Sequence, residues 1–447
     1  MPVAIIQDLG NGLVLRRSSV ADAEPLARFN AAIHGENEAD ARRVADWTRD
    51  LLSGAHPTFG VDDFTVIEDT QANRIISTCC LISQTWAYAG VPFKVGRPEL
   101  VATLPEFQRR GLIRLQFDVL HRWSQERGES VQVITGIPYF YRQFGYELGL
   151  NLSGGRIGFQ AHVPELPEGQ EEPYRIRPAA EEDLHFIGRL YELGCQRSLL
   201  SAVWNADLWC YELTGKRAEN VNRQVMHIIE DRVGNPVGYL THPVNLWQLG
   251  LAITGFEILP EASFLEITPS VIRFVWNTGE ALAAQTKRSC TGFYFWLGED
   301  HPCYPVILHR TPRIRRPYAF YVRVPDLAGF LQQIAPALEK RLESSNCRGY
   351  SGELKLSFYR KGLRLAFDQG CLIAAENLLP TRLGGSVAGF PDLTFLQLLF
   401  GYRSLDEIQY AFADCSCHSA ARSWCYLRGS VGLPARNEPS RAARRRP

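Results

Sequence analysis

Apolar positions along the chain switch between a period of two and a period of three to four, which marks strands and amphipathic helices in turn. Leu15-Arg16 leads through Asp22 into Leu26 and Phe29, with Arg28 between them; 161 positions later Ile176-Arg177 leads through Asp183 into Ile187 and Leu190, with Arg189 between them. Both read as a short strand ending in Arg, followed by a helix that starts at an Asp. The later stretch continues with a strand pair at 225–230 and 238–242 and a helical pattern over 269–285, in an order comparable to the first, so a duplicated domain is expected. Residues 75–88 and 93–103 face each other as a hairpin across Ala89-Gly90-Val91-Pro92. Further on, Leu327, Phe330, Leu331, Ile334, Leu338 and Leu342 make the stripe of one amphipathic helix. Strands are predicted over 353–359, 363–367 and 371–376, and short helices over 393–400 and 404–412.

Two stretches of linker composition interrupt this pattern, residues 163–173 (VPELPEGQEEP) and 311–317 (TPRIRRP). They divide a mixed α+β chain into expected domains at 1–162, 174–316 and 318–428, each of ordinary size. Periodicity is lost after Arg428, and 429–447 reads as a basic, disordered tail.

Candidate chemistry concentrates between residues 93 and 146. Residues 103–113 (TLPEFQRRGLI) pass from strand into loop, and Leu112, Leu115, Val119, Leu120 and Trp123 mark a helix beginning near Gly111. A strand delivering its end to a glycine turn at a helix start is an anion site, because unpaired amides and the helix dipole face outward there. Arg109, Arg110 and Arg114 add charge, and a glycine at 111 would let the backbone approach an oxygen closely. Taken alone, the same residues equally describe a solvated basic turn. A buried strand follows at 131–135, a turn at Gly136-Ile137-Pro138, and an aromatic helical turn from Tyr139 to Tyr146 closed by Gly145.

This order of pieces resembles the GNAT superfamily of acyl-CoA-dependent N-acyltransferases. Residues 108–113 (QRRGLI) are similar to that family's pyrophosphate loop, with Ile113 in place of a small final residue, and 141–145 (YRQFG) to its Tyr-x-x-x-Gly turn. Two such halves followed by a helix and a small mixed sheet look like the enhanced intracellular survival (Eis) acetyltransferases, whose third domain is similar to sterol carrier proteins. The resemblance runs from about residue 13 to 428. It implies tandem GNAT-like domains, each a mixed, mostly antiparallel sheet flanked by helices, and a smaller sterol-carrier-like α/β domain. It implies acetyl-CoA as co-substrate, with Val101, Ala102 and Thr103 pairing to the pantetheine arm and Gln108, Arg109, Arg110, Gly111, Leu112, Ile113 and Arg114 around the pyrophosphate. Gly136 and Ile137 complete that implied set. Tyr141 is the implied acid for the departing thiolate, a primary amine the acceptor (an aminoglycoside, a polyamine or a lysine), and a homo-oligomer the assembly.

Other residues are read from position alone. By the period of two, Glu99 shares the facing of Val101 and Thr103, which makes it either a general base looking into the acceptor cleft or a salt-bridged strand carboxylate. Tyr139, Phe144 and Tyr146 are expected to plug the sheet as an aromatic cluster. The second half runs from 249–258 into 259–264 without glycine or paired arginines, so it is expected to bind no CoA and to wall the acceptor site. Residues 298–302 are read as a turn. Cys415, Cys417, His418 and Cys425 match no paired zinc spacing and are read as structural thiols, Cys79 and Cys80 as core packing, and no metal is expected.

Composition narrows the choice of partner. Lys plus Arg number 48 and Asp plus Glu 48, which argues against a protein that coats nucleic acid or an anionic membrane. The balance is a sum of unlike parts: residues 428–447 carry six arginines and one acid, leaving 42 basic against 47 acidic residues before them, a body suited to a cationic amine. No apolar run is long enough to span a bilayer, the start lacks a signal-peptide pattern, and eleven scattered cysteines fit reduced thiols, so a cytoplasmic protein is expected without stable membrane insertion. The leading expectation is an N-acetyltransferase; a longer acyl donor would use the same chemistry. The contrasting reading is a non-enzymatic acyl-CoA or lipid carrier with the GNAT-like halves as scaffold.

Overall fold

The computed structural model describes residues 4–379 and 388–417. The expected tail at 429–447, and His418 and Cys425 of the thiol cluster, lie outside the described residues.

The first half opens with strands β1 (Ile5–Gly10) and β2 (Leu13–Arg17), helices α1 (Ala23–His34) and α2 (Glu38–Leu51), and strands β3 (Phe64–Asp69), β4 (Arg74–Tyr88) and β5 (Val91–Thr103). Helix α3 (Leu112–Glu126), β6 (Val131–Ile134) and β7 (Glu147–Leu152) follow. β1 to β5 pair antiparallel in chain order, and β6 joins β5 in parallel. The β4–β5 hairpin turns on Ala89 and Gly90, both at positive φ, the geometry that suits the twist of a two-residue hairpin. α3 buries Leu112, Phe117, Leu120 and Trp123 on one face of the sheet against Leu15, Ile76, Cys79 and Leu81. α1 and α2 cover the other face, with Leu26, Val44, Trp47 and Leu51 against Phe64, Val66, Cys80 and Ile82. Neighbouring Cys79 and Cys80 fall into opposite cores, as strand alternation requires.

The second half contributes β8 (Gly155–Phe159), β9 (Arg175–Pro178), α4 (Leu184–Cys195), β10 (Leu200–Ala202), α5 (Ala206–Cys210), β11 (Gln224–Glu230) and β12 (Pro236–Pro243). It continues with β13 (Ala252–Ile253), β14 (Gly255–Ile258), α6 (Phe264–Thr286), β15 (Gly292–Phe295) and β16 (Arg313–Arg315). Apart from β10, its strands form two sheets, β14-β12-β11-β9 and β13-β15-β8-β16. The repeated sequence builds a repeated ion-pair triad. Arg16 bonds Asp22 at 2.7 Å and Glu68 at 2.6 Å, while Arg177 bonds Asp183 and Glu230, each at 2.6 Å. α6 begins a turn earlier than the pattern over 269–285, with Pro269 inside it.

Three strands cross the expected domain boundaries. β10, of the second half, pairs with β4 of the first sheet. β8, before residue 162, pairs with β15 and β16 of the second half. β17 (Tyr318–Arg323), after residue 316, slots between β6 and β7 of the first sheet. Proline-rich connectors mark where the chain turns, but strand pairing runs across them.

After β17 come α7 (Leu327–Gln333) and α8 (Ala335–Glu343), then β18 (Gly352–Ser357), β19 (Gly362–Asp368), β20 (Cys371–Leu378), β21 (Ala388–Gly389), α9 (Phe395–Leu399), α10 (Leu405–Ala411) and β22 (Ser416–Cys417). The single stripe read over 327–342 is two helices, because Pro336 occupies the first turn of α8, where its missing N–H costs nothing, and cannot continue α7. This part shares one core with the far end of the β4–β5 hairpin: Trp86, Tyr88, Phe93 and Val95 pack with Phe330, Leu338, Leu356 and Phe400. The Tyr88 hydroxyl donates to the Leu399 carbonyl at 2.7 Å and accepts from Arg341 at 3.0 Å.

Candidate active site

Three features of the first sheet converge on one place. β5 and β6 pair only at Val95–Val131 and Gly96–Gln132, so β5 runs on from Arg97 without a ladder partner on that side among the described residues. A bulge then turns it: Leu100 stands at φ +51, and the register with β4 jumps from Cys80–Glu99 to Thr78–Ala102. Leu100 joins the α1–α2 core while Val101 joins the α3 side. Beyond the strand, Gly111 at φ +77 opens α3, which has no side-chain cap and no acid in its first turn. Its first amides therefore present a positive helix end.

These elements enclose a cavity of about 440 Å³. Its walls are the end of β5 (Val101, Ala102, Thr103), the loop (Phe107, Gln108, Arg109), the start of α3 (Gly111, Leu112, Ile113, Arg114) and the turn after β6 (Ile137, Phe140, Tyr141, Gln143, Phe144). The size is that of a small-molecule or cofactor site. Arg114 is oriented by Gln143 Oε1 at 2.9 Å and by the Phe144 ring, 5.0 Å from its guanidinium carbon.

Tyr141 sits on a single 3₁₀ stretch, Phe140–Phe144, closed by Gly145 at φ +84. Its ring is boxed edge-on by Phe140 (5.1 Å), Tyr321 (5.5 Å) and Tyr146 (6.4 Å) and lies tilted to Phe117 (5.9 Å). Burial first, then the neighbouring Cys79 and Glu99, push the phenol well above its ordinary pKa, so it stays protonated. A protonated phenol facing a cavity is a hydrogen-bond donor and a proton source.

Eleven of the expected site residues thus meet around one cavity, and three stand apart. Arg110 turns away, donating to the Glu106 carbonyl at 2.9 Å over the Phe107 ring. Gly136 lies behind Tyr141 rather than on the wall. Glu99 does not share the facing of Val101 and Thr103: the bulge at Leu100 breaks the alternation, and its cross-strand partner Cys80 belongs to the α1–α2 core. There Glu99 is 4% exposed and held by the fully buried Arg97 at 2.8 Å. Gly111 stands at φ +77, a left-handed backbone that favours glycine.

The aromatic turn departs from the expected plug at one residue: Tyr146 is buried and Phe144, also a cavity wall, stacks on Phe117 at 4.6 Å, whereas Tyr139 is 71% exposed. Phe107, Phe140 and Gln143 line the cavity without having been singled out in the sequence; their signal was adjacency to the loop and to Tyr141. Residues 298–302 form a loop that carries the buried His301, whose Nε2 lies 2.9 Å from the Phe256 carbonyl oxygen. Among the described residues no cluster of three or more His, Cys, Asp or Glu could hold a metal, and no helix is long and apolar enough to cross a membrane.

Residues 19–149, which include the whole cavity, match the model of the acetyltransferase (GNAT) domain. The protein is on this ground an acyltransferase. No curated protein matches the sequence. Among solved structures, a conserved protein of unknown function from Enterococcus faecalis V583, named as a probable N-acyltransferase, aligns with TM-score 0.64 and 13% identity over 94% of this chain and 98% of its own. A GCN5-related N-acetyltransferase from Kribbella flavida aligns at 0.60 and 16% over 94% and 97%, and Eis1 from Mycobacterium abscessus at 0.56 and 13% over 95% and 100%. At such identities the likeness is one of fold, and it spans all three parts of the chain.

Proposed function

We propose that the protein transfers an acetyl group from acetyl-CoA directly to a primary amine, on the three-part plan of the Eis acetyltransferases. The observation that carries the reading is the meeting, in one cavity, of an unpaired strand end, an open helix N-terminus with two arginines, and a protonated tyrosine. Those groups fit the donor. Its pyrophosphate suits the α3 amides with Arg109 and Arg114, its amide-bearing arm suits the free edge of β5, and its sulfur end suits Tyr141. Ile113, which stands where the resembled family's loop carries a small residue, lines the same cavity.

In the reaction so read, the amine nitrogen attacks the thioester carbonyl carbon. A C–N bond forms, the C–S bond breaks, the leaving sulfur takes the Tyr141 proton, the nitrogen's surplus proton passes to solvent, and solvent returns a proton to the phenolate. Glu99 is not given the base's role, because it lies on the other face of β5 paired to Arg97. The second half serves as wall and support, α7, α8 and the β18–β22 sheet as the sterol-carrier-like part, and the cytoplasm as the setting. Incubation with acetyl-CoA and a panel of amines (kanamycin, spermidine, a lysine peptide), read by release of free CoA thiol, tests this. Amine-dependent thiol release is expected, and its absence across the panel, with acetyl-CoA bound, would favour a carrier.

A further inference from the structure

The turn that carries Tyr141 is held by a strand from the far side of the chain. Between β6 and Tyr141 the backbone passes through Gly136 at φ +152 and Tyr139 at φ +63, the latter a left-handed conformation that a bulky residue rarely adopts. The Tyr139 side chain is 71% exposed, so packing does not hold it there. Two hydroxyls of β17 do. Tyr321 Oη accepts from the Tyr139 amide at 2.5 Å, across 182 positions of sequence, and lies 3.4 Å from the Ile137 carbonyl oxygen. Tyr318 Oη donates to the Gly136 carbonyl at 2.8 Å. The Tyr321 ring, fully buried, also meets the Tyr141 ring edge-on at 5.5 Å.

We propose that Tyr321 and Tyr318 are positioning residues for acyl transfer, setting the 136–139 turn and through it the place of the Tyr141 hydroxyl. This rests on the reading of Tyr141 as the proton donor. β17 reaches the first sheet only after the chain has completed the second half. That pairing therefore makes the transferase site dependent on the docked C-terminal part, which completes the site without touching the substrate.

The test is a double-mutant cycle in the full-length protein, with acetyl-CoA and the best amine of the panel. Tyr321→Phe keeps the ring and removes the hydroxyl. It is expected to lower kcat about tenfold, with KM for acetyl-CoA within about twofold of wild type. In a Tyr141→Phe background the same substitution should cost little more, because a residue acting through Tyr141 has nothing left to position. Unchanged kcat in folded Tyr321→Phe, or a full tenfold loss on top of Tyr141→Phe, overturns the proposal. Should Tyr321→Phe fail to fold, Tyr318→Phe at a 39%-exposed side chain carries the same cycle, with about threefold expected and no change overturning it. Failure of the underlying reading shows separately: Tyr141→Phe alone would keep full turnover, and both assignments would fall.

Discussion

Gly136 and Tyr141 approach so closely that a Cβ at position 136 would lie 2.6 Å from Tyr141 Cε2 and 2.9 Å from its hydroxyl oxygen. The glycine is thus the back wall against which the phenol rests, and its φ of +152 is one that L side chains rarely adopt. Gly136→Ala is expected to displace the Tyr141 ring and strain the turn, destabilising the protein by about 1–3 kcal/mol and lowering turnover together. Thermal unfolding and steady-state kinetics on the same preparation check this; an alanine variant with wild-type turnover would mean that the ring position does not matter.

The positive end of α3 predicts a different kinetic signature. Arg114 touches Gln143 and Phe144 but, among the described residues, pairs with no carboxylate, which leaves its charge to an anion at the cavity. Arg114→Ala should raise KM for acetyl-CoA about tenfold with a smaller change in kcat, and the effect should shrink as salt is added. A fall in kcat at unchanged KM would place Arg114 in the chemical step instead.

Arg97 and Glu99 make a third case. With exposures of 0% and 4% they form a buried pair two residues apart on β5. Glu99→Ala leaves the guanidinium without this partner and should destabilise the fold by about 3–5 kcal/mol. Replacing both at once by Met and Leu should recover most of that loss. Urea unfolding of the three variants measures it, and a Glu99→Ala protein of wild-type stability would reopen a role in proton transfer.

Much of this arrangement was legible in the sequence where the information is local. The 3.6 period of Leu112, Leu120 and Trp123 marked α3, the turn read at 89–92 marked the hairpin, narrowed by the structure to Ala89-Gly90, and eleven of the residues implied by the family resemblance, Tyr141 among them, line one cavity. The Arg–Asp echo at 161 positions returned as two matching ion-pair triads. What was missed depends on pairing rather than pattern. The bulge at Leu100 shifts the facing of Glu99, yet nothing in 98–102 (PELVA) distinguishes a bulged strand from a regular one. The pairing of β8 with the second half, and of β10 and β17 with the first sheet, is invisible to periodicity, because each is an ordinary strand whose partner lies far along the chain. Tyr318 and Tyr321 escaped notice for the same reason.

Acid should weaken the second half. His227 and His242 stack with ring centroids 5.1 Å apart beneath Phe274, and His227 Nδ1 and His242 Nε2 are buried without a hydrogen-bond partner among the described residues. Burial, then the neighbouring His242, lowers His227 from 6.5 to about 3, and burial lowers His242 as well. A histidine with a depressed folded pKa is neutral when folded while the unfolded chain takes up the proton, so stability is full above about pH 6.5 and falls as pH drops toward 3. Between pH 7.5 and 5.0 this amounts to about 2 kcal/mol for His227. Asp63, Glu129 and Glu147, raised mainly by burial, act in the opposite sense, so the contrast that matters is wild type against His227→Leu. Urea unfolding at the two pH values should show a smaller loss in the variant; equal losses would mean that His227 is not buried neutral.

The central claim is that Tyr141 donates the proton that lets the thiolate leave, and turnover of Tyr141→Phe against wild type tests it most directly. The ring contacts with Phe140, Phe117 and Tyr321 survive that substitution, so the unfolding midpoint should stay close to that of wild type while amine-dependent thiol release falls about 10²-fold or more. A folded Tyr141→Phe protein that releases thiol at the wild-type rate would contradict the account.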